Sequence, residues 1–297
     1  MIARGFVALF CALAAPAMAA GGGHPVTLWQ LQGQHNVVYL LGSIHMLRPQ
    51  DHPLPGVIDD AYREAEVLVM ELDMDDMDPA VTQAAFNRAG LMTDGTSLRD
   101  LMGEAAYAEA ERLAAEIDVP LDMLAQAEPW LAAMTIEMLL LYRVGFNPFL
   151  GIEMTMTTRA GTDGKPILGL ESVEEQLSFL DNLSLEAQRE MLLSALRQGA
   201  TLEDTIDDLI LAWREGDTEA LEDGLVSSIA SQDELNRALV VERNRRWVTR
   251  ILDLLDDDDD YLVVVGAMHL VGDDGVPRLL EERGTHIRQL SEPERLR

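Results

Sequence analysis

Short apolar runs without alternation recur at Val37–Leu41, Val67–Met70, Ile167–Leu170 and Tyr261–Val265. Unbroken runs of this length are expected of strands covered on both faces. Thr27–Gln32 precedes the first run, and Gly33-Gln34-His35-Asn36 between them reads as a hairpin turn. After the first run, Pro55 opens a short helix whose apolar positions Val57, Ile58, Ala61, Tyr62 and Ala65 follow helical spacing. Strand, helix, strand in so short a stretch predicts a right-handed βαβ unit with parallel strands. From about residue 79 to 160 the spacing is helical, which predicts a helical insertion. Ser172 with Glu175 forms a capping box after the third run, and helices fill the chain to about Leu255. Ser231 with Glu234 is a second box, opening the longest helix. A short helix, Pro277–Arg283, stops at Gly284, and Thr285–Leu290 is a last strand. The pattern predicts one α/β domain over residues 20–297, with a largely parallel central sheet, βαβ units, a hairpin near its start and the helical insertion.

The first residues differ in kind. Arg4, the apolar stretch Phe6–Ala15 and Ala17-Met18-Ala19 read as an export signal, cut after residue 19. The expected location is periplasmic or secreted. The single cysteine, Cys11, lies inside that segment, so catalytic thiols, disulfides and cysteine-held zinc are excluded from the mature chain. Leu131–Tyr142 is the nearest later approach to a membrane span. Glu137 interrupts it, so a buried helix is expected and no stable membrane anchor remains after cleavage. Lys plus Arg is 22 against 52 Asp plus Glu, a net charge of −30, with Lys165 the sole lysine. Such a surface repels phosphate backbones, which excludes nucleic acid as a partner. Asp256–Asp260 reads as a solvated turn. The methionines fall at helical spacings as core filler rather than copper ligands, with Met74 and Met77 at the surface.

Four of the apolar runs end in chemistry: Gly42-x-x-His45, Glu71, Glu171 and Gly266-x-x-His269. Parallel sheets gather their sites at the carboxyl ends of the strands. If these strands are neighbours, two imidazoles and two carboxylates converge as a ligand set for a divalent metal. Glycine is expected to let the chain turn sharply off each strand. A second signal lies in the long helix. Leu235, Leu239, Arg243, Trp247 and Ile251 are spaced by four, as are Val240, Asn244, Val248 and Leu252. Arg243 and Asn244 thus fall in an apolar face. A buried guanidinium needs a carboxylate, and the strand-end glutamates are candidates. It serves either as a structural ion pair or as a clamp for a developing oxyanion. There is no H-E-x-x-H, G-x-S-x-G or P-loop.

Together these segments resemble the TraB/GumN family, which includes the animal Tiki proteins. The resemblance rests on Leu41–His45, Leu68–Asp73, Gly164–Glu171, Glu242–Arg245 and Val265–Gly272, in the family's order over nearly the whole mature chain. It implies a fold shared with the erythromycin-esterase and ChaN-like proteins, and a site containing His45, His269, Glu71 and Arg243. From the Tiki proteins it suggests a manganese- or cobalt-stimulated metalloprotease, there tethered to a membrane by a C-terminal anchor; that tethering is not expected to carry over to this chain.

The expected function is a metal-dependent hydrolase, foremost of peptides. His45, His269 and Glu71 would hold manganese, cobalt or zinc; Glu171, Arg243 and Asn244 would be catalytic. Which glutamate ligates and which takes protons is open at this stage. Two rivals belong to other classes: a non-catalytic peptide- or haem-binding protein using the same cleft, and a metal-free esterase-like hydrolase with a histidine base.

Overall fold

The computed structural model describes residues 23–226 and 232–292. The expected export signal and Ser231 of the second capping box lie outside those residues. Six strands form one sheet: β1 (Pro25–Gln32), β2 (Val37–Ser43), β3 (Val67–Leu72), β4 (Ile167–Glu171), β5 (Tyr261–Gly266) and β6 (Ile287–Ser291), in the order β4-β3-β5-β2-β1-β6. The four strands from β4 to β2 are parallel; β1 runs antiparallel to both β2 and β6. The fold is therefore α/β with a mostly parallel sheet and an N-terminal hairpin.

The two strands flanking the first helix are parallel in one sheet as expected, and one strand expectation, the burial of β4, needs correction. β2 and β3 flank the helix Gly56–Glu64 as predicted, but they are not neighbours, because β5 lies between them. All six β5 residues are buried, which is what the middle of a parallel sheet demands. β4, expected to be buried, is an edge strand paired to β3, and Leu168 on it is exposed.

Alternate residues of each strand feed two cores, the period-2 signature of a sheet covered on both faces. Leu41, Leu68, Met70, Leu262 and Val264 pack with Ile58, Tyr62, Met156 and Trp213. Leu40, Val69, Val263 and Val265 pack with Trp247, Val248, Ile251 and Val276. The helical region builds its own core, in which Ala132, Ala133 and Ile136 of the helix Pro129–Arg143 meet Leu192 and Leu196 of the helix Leu185–Gly199. The helical layer thus draws on residues beyond 160.

The Ser172–Glu175 capping box forms: Glu175 N–H donates to Ser172 Oγ at 3.2 Å and Ser172 N–H to Glu175 Oε2 at 2.8 Å. Glu234 instead accepts from the backbone N–H and hydroxyl of Ser184. The long helix runs unbroken from residue 233 to 255 but is not α-helical throughout. A short turn, Asp233–Asn236, runs into a π-helical stretch, Arg237–Val241, before the α-helix Glu242–Leu255. The π turn offsets Leu235 and Leu239 from the four-residue rows, while Arg243, Asn244, Trp247, Val248 and Ile251 remain buried. Among the described residues no helix is long and apolar enough to cross a membrane.

Candidate active site

With β4, β3, β5 and β2 side by side, Glu171, Glu71, Gly266 and the turn carrying His45 succeed one another along one sheet edge. Gly266 marks the point of convergence. A Cβ placed there would lie 3.3 Å from Glu71 Oε1, 3.5 Å from His269 Cδ2 and 4.0 Å from His45 Nε2. Its backbone, at φ −51°, suits any residue. This glycine therefore provides room rather than a special turn. Gly42 differs: it lies within β2, where a Cβ would come within 2.5 Å of Thr27 Cγ2. Neither glycine does what the turn expectation supposed.

Arg243 fills the centre. Its Nη2 lies 2.6 Å from Glu71 Oε2 and 2.9 Å from Glu171 Oε2, and its Nε donates to Glu171 at 3.0 Å. Its Nη1 donates to the Leu239 carbonyl, which the preceding π turn presents, at 3.3 Å. Arg246 adds a second guanidinium to Glu171, at 2.9 Å. Burial opposes the Arg243 charge, but Glu71 and Glu171 outweigh it and raise its pKa. Glu71 also accepts from Gly266 N–H at 2.8 Å and from Gln176 at 3.1 Å. Burial pushes its carboxyl up, yet His269, Arg243 and His45 together hold it down at about 2.

The two histidines meet this centre in different surroundings. His269 is buried, 2% exposed, and packs against Trp247 with ring centroids 4.5 Å apart and the rings tilted by 55°. Its Nδ1 faces Asn244 Oδ1 at 2.7 Å and its Nε2 faces Arg243 Nη1 at 3.2 Å. Burial holds its pKa down at about 3, so it is a neutral imidazole. The His45 side chain is 71% exposed, because it projects into a cavity that water can enter. Its Nδ1 lies 2.7 Å from Glu153 Oε1. Glu153 raises the His45 pKa to about 9 against the opposing effect of desolvation.

Glu153 and Ser43 are residues that sequence reasoning missed. Glu153 stands in the first turn of the helix Ile152–Asp163, where the helix dipole favours a carboxylate. Ser43 Oγ donates to its Oε1 at 2.5 Å, and its Oε2 is buried without a partner. Gly151 permits the approach, since a Cβ there would fall 2.0 Å from the His45 carbonyl oxygen. An acidic residue beside a glycine, far along the chain within a helical region, carries no sequence sign of facing His45.

The cavity holds about 1090 Å³ and is walled mainly by apolar side chains, including Met46, Met74, Met77, Met134, Met138 and Met268. Met74 and Met77, expected at the surface, line it. They close the gap between the sheet edge and the helix Pro129–Arg143, a packing that sequence spacing does not reveal.

For a divalent metal, His45 Nε2 and Glu71 Oε1 are suitable donors beside the space left by Gly266. Each imidazole has its Nδ1 engaged by an outer partner, Glu153 or Asn244, as metal-binding histidines do. His269 Nε2 is, however, engaged by Arg243. Among the described residues no three His, Cys, Asp or Glu side chains form a ready metal-binding group. Glu171 is buried with both oxygens accepting from guanidinium groups. Arg243 and Arg246 carry two positive charges against three negative ones on Glu71, Glu171 and Glu153. One further positive charge, whether a proton on His45 or a bound cation, balances the site.

Comparison with known proteins adds the family. The chain is 22% identical over 242 residues to the uncharacterized protein YbaP of Escherichia coli (strain K12), covering 82% of this chain and 87% of that one. An uncharacterized protein of Treponema pallidum (strain Nichols) is 23% identical over 268 residues, covering 86% and 80%. No solved structure matches. The profile of the TraB/PrgY/gumN family matches residues 27–289, spanning every strand but the ends of β1 and β6. The chain belongs to the TraB/PrgY/gumN family.

Proposed function

We propose that this protein is a metal-assisted hydrolase of peptides, exported to the periplasm or secreted. One observation carries the reading: His45 Nε2, Glu71 Oε1 and the His269 ring surround the same space beside Gly266, next to a large apolar cavity. His45 and Glu71 are the residues that would hold the metal. A divalent ion there would supply a water of lowered pKa and would polarise a carbonyl.

The chain's own groups do the rest. Glu153 orients the His45 ring through Nδ1 and leaves Nε2 toward the cavity. Arg243, fixed by two carboxylates, offers a preorganised positive charge for an oxyanion. Glu171 positions Arg243; its oxygens are engaged by two guanidinium groups and are not placed to take a proton from substrate. Asn244 holds the His269 tautomer. The apolar cavity wall would accept an apolar segment of substrate, which displaces water on binding.

A second reading, a metal-free hydrolase with His45 as the proton-transfer group, is favoured by the 3.2 Å approach of Arg243 Nη1 to His269 Nε2. The test is turnover of a peptide library by pure protein, with and without chelator and with manganese, cobalt or zinc restored. Turnover lost on chelation, regained with metal and absent in His45→Ala supports the proposal. Turnover indifferent to chelator selects the metal-free reading. Tight peptide binding without any product makes the protein a binder.

A further inference from the structure

Among the described residues Glu137 is the one acidic side chain lining a mainly apolar cavity. It lies on the helix Pro129–Arg143 and faces the same cavity as His45, among Leu131, Met134, Met138 and Leu141. Those two are the ionisable side chains among the residues lining it. Water reaches Glu137 through the cavity, yet no hydrogen bond or ion pair engages it among the described residues. Desolvation alone pushes its carboxyl up to about 7. Water solvates part of the charge, but among the described residues the apolar wall around it offers no counter-charge of its own.

We propose that the cavity seats a peptide segment with mostly apolar side chains and one basic residue, and that Glu137 is the counter-charge selecting that residue. This rests on the peptide-hydrolase reading and names its substrate class. Three observations carry it. First, charge: an anionic amphiphile would meet Glu137 and a chain of net charge −30, whereas a lysine or arginine side chain supplies the missing partner. Second, the wall: methionine is unbranched and polarisable, so a methionine-lined surface adapts to varied apolar side chains instead of one fixed shape. Third, size: about 1090 Å³ is at the upper end for small-molecule pockets, enough for a peptide segment, and Glu137 and His45 both line it. A basic side chain also buries its own methylenes against the methionines while its charged end meets the carboxylate.

The experiment measures binding, not turnover, in chelated protein by fluorescence anisotropy. The probes are two labelled short peptides of leucine, methionine and alanine, one with a central lysine and one with norleucine in its place. Wild type should bind the lysine peptide roughly tenfold or more tightly, because the norleucine peptide covers the carboxylate and leaves it unpaired. Glu137→Gln should erase that difference, and a control on an exposed helix, Glu111→Gln, should keep it. Equal binding of both peptides by wild type, binding of neither, or a lysine preference that survives in Glu137→Gln would overturn the proposal. The wild-type comparison needs no variant, so misfolding cannot obscure it. A lysine preference without any turnover would uphold the role of Glu137 and remove the hydrolase reading. Turnover without a lysine preference would do the reverse.

Discussion

Asn244 holds His269 in one tautomer. The Asn244 amide nitrogen donates to two backbone carbonyls, of Asp274 at 2.7 Å and of His269 at 3.3 Å. Its oxygen must then face His269 Nδ1, 2.7 Å away, and an oxygen there accepts a proton from Nδ1. The Nε2 lone pair is left toward Arg243 and Glu71. Asn244 is 0% and His269 2% exposed, while the bond to the Asp274 carbonyl is half-buried.

Asn244→Ala should therefore act twice. It strands two carbonyls and an imidazole N–H, which costs roughly 1–3 kcal/mol per unsatisfied buried group. It also frees the ring to exchange its proton between nitrogens. Chemical denaturation should show the loss, and nitrogen chemical shifts of His269 should show a mixed tautomer in place of a single one. An unchanged single tautomer in the variant would mean that Arg243, not Asn244, sets it.

Arg243 is the counter-charge for Glu71 and Glu171 at once. Arg243→Ala leaves two buried carboxylates facing one another and should cost about 3–5 kcal/mol. Arg243→Lys keeps the charge but loses the fork that reaches Glu71, Glu171 and the Leu239 carbonyl together. It should melt close to wild type and lose turnover. Arg288→Ala, on the exposed edge strand β6, should match wild type in both measurements.

How far this site was legible follows from what holds each residue. The strand-end groups could be read because an apolar run announces its strand, and a parallel sheet gathers whatever follows at one edge. Arg243 and Asn244 could be read because charge and amide in an apolar helical stripe demand partners. Strand order is different in kind. Nothing in the sequences of β2 and β3 says that β5, nearly two hundred residues on, will slide between them. Glu153 was hidden for the same reason, because its partner His45 is distant and its helix looks like any other. Glu137 stood in plain view as the break in the Leu131–Tyr142 run. Its meaning needed the cavity, since an acid in an apolar helix is ordinary until its surroundings are known.

The His45–Glu153 pair should be visible by titration. Glu153 raises the His45 pKa from the ordinary 6.5 to about 9, so the pair's stabilising contribution is full below about 6.5 and fades as pH rises through about 9. In chelated protein, proton NMR of the His45 ring should give a midpoint near 9 in wild type and a clearly lower one in Glu153→Gln. The difference in melting temperature between the two proteins should shrink over the same window. A His45 midpoint that does not move in Glu153→Gln would mean that the two side chains do not meet in solution.

Glu137 predicts the opposite dependence. Its carboxyl titrates at about 7 in the fold, against the ordinary 4.5 once the chain unfolds. A raised carboxylate pKa means the folded state holds its proton more tightly than the unfolded state does. The fold is therefore favoured below about 4.5 and progressively penalised as pH rises through about 7. Glu137→Gln removes the ionisation and keeps the shape. Its melting temperature should equal wild type near pH 4.5 and exceed it above pH 7, by on the order of a few degrees, reduced to the extent that cavity water solvates the charge. Adding the lysine peptide at pH 8 should close the gap, because a bound cation removes the penalty in wild type and finds nothing to pair with in the variant. A variant that is less stable than wild type at pH 8 would show that Glu137 already has a partner within the chain, and the cavity would then need no basic guest.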